Sequence, residues 1–233
     1  MVSNQAMIFP YDTPATQQAA ADLETPATSV VLQADGLYFQ YSGQALFADL
    51  SARIMPGVTL VCGGSGRGKS TLLRLLAGTL PLTGGQLRIN GISLQNQPAA
   101  YRQQVFWTEP REDAFDQMTT LEYFQLQRQT HAGFKDVGLT ALVEGLGLTP
   151  HLSKPLYMLS TGSKRKVWLA AAFASGAAVT LLDEPFAALD TASIGFVLDL
   201  LEDAATHPTR AWVLAHYEAP GTVPLSGVLD LGA

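Results

Sequence analysis

Residues 63–71 read Gly63-Gly64-Ser65-Gly66-Arg67-Gly68-Lys69-Ser70-Thr71, and this stretch decides the fold. Its first eight residues fit the spacing G-x-x-x-x-G-K-[ST]. The glycines can adopt backbone angles that other residues avoid, so consecutive N–H groups can surround an anion. Lys69 adds a positive charge, and Ser70 offers a hard hydroxyl oxygen of the kind that Mg²⁺ prefers. The pattern therefore predicts that the nine residues of this stretch, here called the phosphate loop, bind the phosphates of a nucleotide.

The residues on either side of the phosphate loop support this interpretation. Residues 58–62 form a short apolar, partly β-branched run, which is typical of a buried strand. Residues 71–77 carry leucines at helical spacing, and the start of that helix would point at the phosphates. The alternative is a glycine-rich turn with an unrelated lysine, and the order strand, loop, helix disfavours it. The loop alone does not say what the nucleotide is used for.

Composition limits the class of protein. The chain has 233 residues, 47% of them hydrophobic, which suits one large domain or a domain with a subdomain. We expect neither a membrane span nor a signal peptide, because no apolar run approaches about 20 residues and the start lacks a basic region. The single cysteine, Cys62, excludes an internal disulfide. A net charge of −6 argues against broad nucleic-acid binding. These features predict a cytoplasmic protein.

The chain divides into a tail and one domain. Residues 1–29 have few large apolar side chains, and we expect a flexible tail there. Residues 30–233 carry the domain. We expect two strands, 29–34 and 37–41, around a turn at Asp35-Gly36, and a further strand pair over 45–54.

The second half of the chain is more helical. We expect a helical subdomain over about 110–160, with helices at 119–131, 138–146 and 148–157. Helices are then predicted at 160–174 and 191–205, and strands at 179–182, 211–215 and 227–233.

An apolar run that ends in two acids follows the phosphate loop by more than 100 residues. Residues 179–182 predict a strand whose end carries Asp183 and Glu184. Asp183 would ligate Mg²⁺, and Glu184 would act as the general base that activates water. Apolar strands ending in acids are common, so this pattern gains weight only beside the phosphate loop.

Further motifs occur in a fixed order. Leu159-Ser160-Thr161-Gly162-Ser163, here called the signature segment, stands between the loop and the acids. Tyr41 precedes Gly63 by 22 residues, Ala187-Ala-Leu-Asp190 follows the acids, and His216 ends a predicted strand. In this order the motifs resemble the nucleotide-binding domain of ABC ATPases, whose signature is usually Leu-Ser-Gly-Gly-Gln. The resemblance covers residues 30 to 233.

The resemblance implies roles for these residues. It implies that Tyr41 stacks on adenine, that Asp190 lies in the D-loop, and that His216 contacts the γ-phosphate. It also implies that Ser160 and Gly162 bind the ATP of a second ABC domain, so that two domains enclose two nucleotides head to tail. The implied fold is α/β: a P-loop core with a mixed sheet, a small antiparallel β subdomain and an inserted helical subdomain.

The chain departs from the family pattern at two places. Thr161 and Ser163 replace the usual Gly and Gln of the signature, and Thr161 tolerates fewer backbone angles. Glu109 stands where the family has a glutamine that touches Mg²⁺. A carboxylate there is a predicted ligand of Mg²⁺ or nucleotide, although it adds negative charge beside the γ-phosphate.

The resemblance implies a Mg²⁺-dependent ATPase subunit of an ABC membrane transporter. The permease would be a separate integral-membrane chain, and this chain would lie peripherally on the inner face of the membrane. Its compact single domain is similar to the haem-exporter ATPase subunits of cytochrome c maturation. Alternatives are a soluble ABC ATPase acting on ribosomes or DNA, and a regulatory ABC-like protein with little hydrolysis. The permease would set substrate and direction.

Other residues receive a structural interpretation. Cys62 and the tryptophans are expected in the core. For Tyr41 a position in the strand core is the alternative to contact with adenine. The histidines His131, His151 and His207 are expected at the surface. Residues 164–166, Lys-Arg-Lys, are expected to form a solvated first helical turn.

Overall fold

The computed structural model describes residues 30–107 and 113–232. Within these ranges the chain forms nine β-strands and six α-helices. In chain order they are β1 (Leu32–Tyr41), β2 (Gln44–Ile54), β3 (Gly57–Cys62), α1 (Lys69–Leu76), β4 (Gly84–Ile89), β5 (Ile92–Ser93), α2 (Pro98–Gln103), β6 (Val105–Phe106), α3 (Thr120–Thr130), α4 (Asp136–Gly145), α5 (Thr161–Ala174), β7 (Val179–Asp183), α6 (Thr191–Ala205), β8 (Ala211–Ala215) and β9 (Leu225–Asp230). The predicted tail, residues 1–29, and Glu109 lie outside the described residues.

The strands form two sheets. A four-stranded antiparallel sheet has the order β2-β1-β4-β5, and a five-stranded sheet has the order β6-β7-β8-β3-β9. All strand pairs described in the five-stranded sheet are parallel. The predicted α/β fold with a small antiparallel sheet is therefore confirmed, and its described antiparallel pairs lie in the separate sheet.

The first two strands differ from the prediction. Residues 32–41 form one strand rather than two, because Gly36 adopts φ +58° inside it and shifts the register without reversing the chain. Residues 44–54 likewise form one strand, not a pair. The reversal lies at Ser42-Gly43, where φ is 47° and 86°, as a two-residue hairpin turn requires. The two strands pair with each other along their length.

The helix predicted over 148–157 is wrong. The structure has two short 3₁₀ turns there, Thr149–His151 and Leu156–Met158. Gly147 ends α4 with φ +67°, and Pro155 lacks the N–H donor that a continuing helix needs. The helices predicted at 119–131, 138–146, 160–174 and 191–205 are confirmed as α3, α4, α5 and α6 within a few residues.

Alternate residues of the central strands face two separate cores. In β3, Val58 and Leu60 pack with α5 and α6, whereas Val61 packs with α1 and the antiparallel sheet. β8 repeats the alternation, with Trp212 on the first side and Val213 on the second. Strands buried on both faces are held firmly, so the residues after their carboxyl ends have fixed positions.

The described helices give no candidate membrane span. None of those within 30–107 and 113–232 combines the length and hydropathy that crossing a bilayer requires.

Candidate functional site

The phosphate loop joins β3 to α1 and is held mainly by backbone contacts. Gly64 N–H donates to the carbonyl of Gly232 at 2.9 Å. Lys69 Nζ donates to the carbonyls of Gly63 at 2.8 Å and Gly64 at 3.2 Å, so its ammonium lies inside the loop. Gly68 precedes the helix with φ +91°. A Cβ at Gly68 would lie 2.8 Å from Leu46 Cδ2, a side-chain tip that can shift, so the positive φ is the main requirement for glycine.

A cleft of 380 Å³ lies over the loop. Its lining consists of Tyr41, Leu46, Ser65, Gly66, Arg67, Gly68, Lys69, Ser70, Thr71 and Glu184. Tyr41 is 48% exposed, and its hydroxyl lies 3.5 Å from Thr71 Oγ1. The side chain predicted to contact adenine is thus beside the phosphate loop, with its ring edge-to-face against Phe39 rather than buried in the core.

The parallel strands bring the acids and His216 to the same edge as the loop. Asp183 is the register partner of Ala215, and Val61 is the partner of Ala215 on the other side. The ladder continues one residue further, because Glu184 N–H donates to Ala215 O at 3.0 Å and His216 N–H donates to Val61 O at 3.1 Å. Residues distant in sequence therefore meet where their strands end.

Glu184 and His216 form a hydrogen-bonded pair at this edge. His216 Nδ1 lies 2.8 Å from Glu184 Oε2. An ionised carboxylate only accepts hydrogen bonds, so Nδ1 carries the proton when Glu184 is ionised. The imidazole also lies between two aromatic rings, Phe186 at 5.4 Å and Tyr217 at 4.4 Å. Glu184 itself has φ +46°, an unusual conformation for a glutamate.

The signature segment begins α5. Ser160 is the N-cap, and its Oγ accepts a hydrogen bond from Ser163 N–H at 3.1 Å. The two serine hydroxyls are 3.0 Å apart, so the residue that replaces the family glutamine bonds to Ser160. Thr161 is the first helical residue. A Cβ at Gly162 would collide with the carbonyl of Ala188, so the segment packs tightly against the residues before α6.

The basic run 164–166 is not a solvated turn, contrary to the prediction. Lys164 Nζ bonds to Asp116 Oδ1 at 2.5 Å, and Lys166 Nζ bonds to Asp190 Oδ2 at 2.5 Å. Arg165 reaches back to the end of β7 and donates to the carbonyls of Asp183 and Glu184. Positive charges near a helix start are unfavourable with the helix dipole, and each of these three bases has a hydrogen-bond partner in the structure.

Asp190 has a structural position in the fold. Its Oδ1 caps α6 by accepting from Ser193 N–H at 2.9 Å, while its Oδ2 meets Lys166. The hydrogen bond from Lys166 and those from Ser193 hold the pKa of the exposed carboxyl well below its usual range. It therefore ties α5 to the start of α6 as an anion.

Two independent comparisons identify the family. A family model described as "ABC transporter" matches residues 47–187. The chain is also 36% identical over 211 residues to the "Cytochrome c biogenesis ATP-binding export protein CcmA" of Pseudomonas syringae pv. syringae, covering 89% of this chain and 97% of that protein. The chain belongs to the ABC transporter ATP-binding family. An ABC ATPase domain binds ATP, and ATPase activity is general in this family.

Other relatives have different names. The "Zinc transport system ATP-binding protein TroB" of Treponema pallidum is 31% identical over 186 residues, covering 77% of this chain and 70% of that protein. The ABC fold is matched by a solved "ATP binding subunit of ABC transporter" with a TM-score of 0.72 and 24% identity, covering 80% of this chain and 79% of the other. A putative ABC transporter ATP-binding protein from Pyrococcus furiosus gives 0.69 at 20% identity, covering 86% and 96%.

The ABC fold places most of the predicted residues in two groups. Tyr41, residues 65–71 of the loop and Glu184 line one cleft, and His216 joins them through Glu184. Asp183, at the end of β7, lines a separate cavity of 40 Å³ beside Arg165. Ser160, Gly162 and Asp190 form the second group around the starts of α5 and α6, and they are not among the residues that line the cleft. Glu109 lies outside the described residues.

Sequence reasoning missed several residues near this ABC site. Leu46 lines the cleft, Phe186 and Tyr217 flank His216, and Arg165 contacts the acid pair. Three consecutive bases at a helix start were the available signal for Arg165. The surface prediction for His131 is also wrong: it is 6% exposed and packs against Phe106, and burial lowers the pKa of its imidazole.

Proposed function

We propose that this chain is the ATP-hydrolysing subunit of an ABC membrane transporter and drives a separate integral-membrane permease. One observation carries the proposal: Glu184, hydrogen-bonded to His216 at 2.8 Å, lines the same cleft as the phosphate loop. A general base beside a phosphate-binding loop is the arrangement that phosphoryl transfer to water requires.

The loop side of the cleft would bind ATP. The backbone N–H groups of residues 63–71 and the start of α1 supply donors for phosphate oxygens. Lys69, which bonds to loop carbonyls in this structure, would turn its ammonium to the β- and γ-phosphates. The exposed ring of Tyr41 stands at the rim of the same cleft, where an adenine ring can stack on it.

The residues present also fit Mg²⁺. Ser70 contributes a hydroxyl from the first turn of α1, and Asp183 contributes a carboxylate from the end of β7. Both are hard oxygen donors, which is the ligand chemistry that Mg²⁺ prefers. Bound Mg²⁺ would neutralise charge on the phosphate oxygens. Glu109 is proposed as a further ligand on sequence grounds alone.

Hydrolysis would use the pair at the strand ends. Glu184 would accept a proton from a water molecule, whose oxygen forms a bond to the γ-phosphorus as the bond to the β–γ bridging oxygen breaks. His216, held between Phe186 and Tyr217 with Nδ1 on Glu184, would present its Nε2 edge to the γ-phosphate. A positioned general base contributes about 10² to 10⁴-fold in rate.

The second group of residues would serve another copy or another ABC domain. Ser160 and Gly162 begin a helix, and helix starts bind anions. Their separation from this chain's own cleft is accounted for if they contact ATP held by a partner, in a head-to-tail dimer closed by nucleotide. Asp190 would lie in the D-loop at the same interface. Either a homodimer or a heterodimer satisfies this arrangement.

The permease would hold the chain at the inner face of the membrane. The relatives named for cytochrome c biogenesis make an export permease of that kind the first partner to test, with a zinc transport permease as the second. The altered signature and Glu109 support a regulatory alternative with little hydrolysis. The Glu184–His216 pair argues against it.

Steady-state phosphate release tests the hydrolytic part of the proposal. The wild-type chain and Glu184→Gln are assayed with ATP and Mg²⁺, alone and with a membrane permease that co-purifies with the tagged chain. We expect turnover to fall at least 100-fold in the variant, since the base is lost. Glu202→Gln on α6 is the matched control, with unchanged turnover. If the wild type and Glu184→Gln are equally inactive with the permease present, the proposal that this chain hydrolyses ATP is wrong.

Affinity capture tests the transporter part. A tagged chain purified from detergent-solubilised membranes is expected to retain a multi-span permease. Capture of ribosomal or DNA-bound partners alone would favour the soluble alternative.

A further inference from the structure

Arg165 contacts the backbone that carries the two acids. It is the fifth residue of α5, and its Nη1 donates to the carbonyl of Asp183 at 3.1 Å and to the carbonyl of Glu184. The carbonyl of Glu184 also accepts from Ala187 N–H at 3.1 Å. The turn that follows β7 is therefore held by a side chain of α5, the helix that begins in the signature segment.

This turn requires such support. Glu184 has φ +46°, a strained conformation for a non-glycine residue that persists only where the surrounding structure holds it. Its N–H is held by Ala215 O at 3.0 Å, and its carbonyl is held by Arg165 and Ala187. From this conformation the carboxylate reaches His216 Nδ1 at 2.8 Å. If the turn relaxed to negative φ, the Cβ would point elsewhere and the pair would separate.

The chemistry of the site suits a guanidinium. Arg165 is half-buried beside a cavity of 40 Å³ lined also by Phe106, Trp168 and Pro185. Burial lowers the pKa of the guanidinium, and the carboxylates of Asp183 and Glu184 act in the opposite direction. Both hydrogen bonds come from Nη1, which carries two N–H groups, and a guanidinium keeps its charge when half-buried, whereas a lysine loses its charge more readily.

We propose that Arg165 is a positioning residue for ATP hydrolysis, holding the backbone of Glu184 so that its carboxylate meets His216. This inference rests on the proposed function. Because α5 begins at Ser160, the same contact also connects the acid to the segment assigned to a partner's nucleotide. Movement of α5 on nucleotide binding would then reach Glu184 directly.

The first test separates rate from binding. Arg165→Met removes the donors but keeps an unbranched side chain. We expect kcat for ATP to fall at least 30-fold, or about 2 kcal/mol in the barrier, while KM stays within about threefold. Lys164→Met is the matched control, since it breaks the ion pair to Asp116 on the same helical turn and should leave kcat within about threefold.

The second test does not depend on turnover. Imidazole ¹⁵N spectra of His216, assigned with His216→Gln, report which ring nitrogen carries the proton. In the wild type the Nδ1–H form should dominate at pH 8, because Glu184 accepts from it. Arg165→Met should lose this preference and resemble Glu184→Ala. A role in stability alone would lower Tm without changing the tautomer.

The outcomes are decisive in either direction. A folded Arg165→Met protein with wild-type kcat and tautomer overturns the inference. Should that variant fail to fold, Arg165→Lys decides: kcat at least threefold lower with a weakened Nδ1–H preference supports the inference, and wild-type behaviour in both overturns it. A wild type that hydrolyses no ATP with its permease defeats the proposed function instead, and the tautomer comparison alone then judges the role of Arg165.

Discussion

The phosphate loop and the signature segment are both glycine-containing helix starts, yet different interactions hold them. The loop is held by backbone contacts and by Lys69, and it opens on a cleft of 380 Å³. The start of α5, which carries the signature segment, is held by side chains: Ser160 bonds to Ser163, and Lys166 bonds to Asp190. Gly162 also packs on the Ala188 carbonyl. The start of α1 therefore lines an open cleft, whereas the start of α5 is bonded to neighbouring elements of the same chain.

This difference indicates a division of work. Backbone donors around an open cleft suit a ligand that enters and leaves. A helix start fixed by an ion pair and a close glycine contact suits a rigid surface that moves as a unit with α5. Changes in the loop should therefore alter binding to this chain's own site, and changes in the signature segment should alter turnover with that binding intact.

The largest effect is expected for Lys69→Ala. Losing the ammonium removes a charge-assisted hydrogen bond to phosphate, worth about 3 kcal/mol, so ATP affinity should fall about 100-fold. Isothermal titration with ATP and Mg²⁺ measures it. Lys154→Ala, whose Nζ lies 3.2 Å from His151 Nδ1 away from the cleft lining, is the control and should bind ATP normally. Unchanged affinity in the Lys69 variant would contradict the assignment of the loop.

Gly162→Ala should act on the other side of the comparison. The added Cβ collides with the carbonyl of Ala188, and relieving such overpacking costs about 1–3 kcal/mol. We expect ATP turnover to fall about tenfold while ATP affinity of the same chain stays within about twofold. Parallel turnover and titration measurements decide it. If ATP affinity fell as much as turnover, Gly162 would belong to the ATP site of its own chain, and the two regions would form one site.

A second helical glycine provides the control for Gly162. A Cβ at Gly195 in α6 meets nothing within 4 Å, and its φ is not positive. Gly195→Ala should raise the free energy of unfolding by about 0.5–1 kcal/mol, since alanine favours helix, and leave turnover unchanged. Urea denaturation measures the gain, and a destabilised protein would show that the position is not open.

Thr161→Gly tests whether the altered signature weakens the site. Thr161 takes helical angles as the first residue of α5, so it is not strained there. Restoring glycine should change turnover less than about threefold and lower the free energy of unfolding by about 0.5 kcal/mol. A tenfold rise in turnover would instead mean that threonine restricts the segment.

The smallest effect concerns the tie between α5 and α6. The pKa of Asp190 is lowered by Lys166 and Ser193, so its ionised form stabilises the fold above the unfolded value of 3.8. That stabilisation is lost as pH falls below this value toward the lowered pKa. Asp190→Asn keeps an N-cap and removes the charge. Its Tm should lie below wild type at pH 7, and the difference should shrink below about pH 4. A constant difference across pH would exclude the ion pair as the cause.

Much of the fold could be predicted from the sequence, because the hydrophobic periods and capping residues that define its helices and strands are local. The helices over 191–205 and 160–174 and the strand over 211–215 follow from period and capping residues. The single strand β1 was not readable, because Asp35-Gly36 fits a turn as well as a bulge and only the pairing with β2 decides between them. The turns at Thr149–His151 and Leu156–Met158 depend on prolines that interrupt an otherwise helical pattern.

The site residues could be predicted from the sequence where a motif combines residue types and spacing that indicate one chemical role. The phosphate loop and the Asp183-Glu184 pair are of this kind, and the structure brings the loop and Glu184 to one cleft. Arg165 was not readable as a neighbour of the acids, because no spacing relates it to Glu184 and only the packing of α5 on β7 brings them together. The burial of His131 likewise depends on tertiary packing against Phe106.

The molar mass of Glu184→Gln in solution tests the central claim most directly, because slow hydrolysis should preserve an ATP-closed dimer. Light scattering after gel filtration is run with ATP and Mg²⁺, with ADP, and without nucleotide. We predict twice the chain mass of 24.8 kDa only with ATP, and the mass of a single chain when Gly162→Ala is added. A single-chain mass with saturating ATP, or a dimer that forms equally without nucleotide, would contradict a site completed by a second copy of this chain.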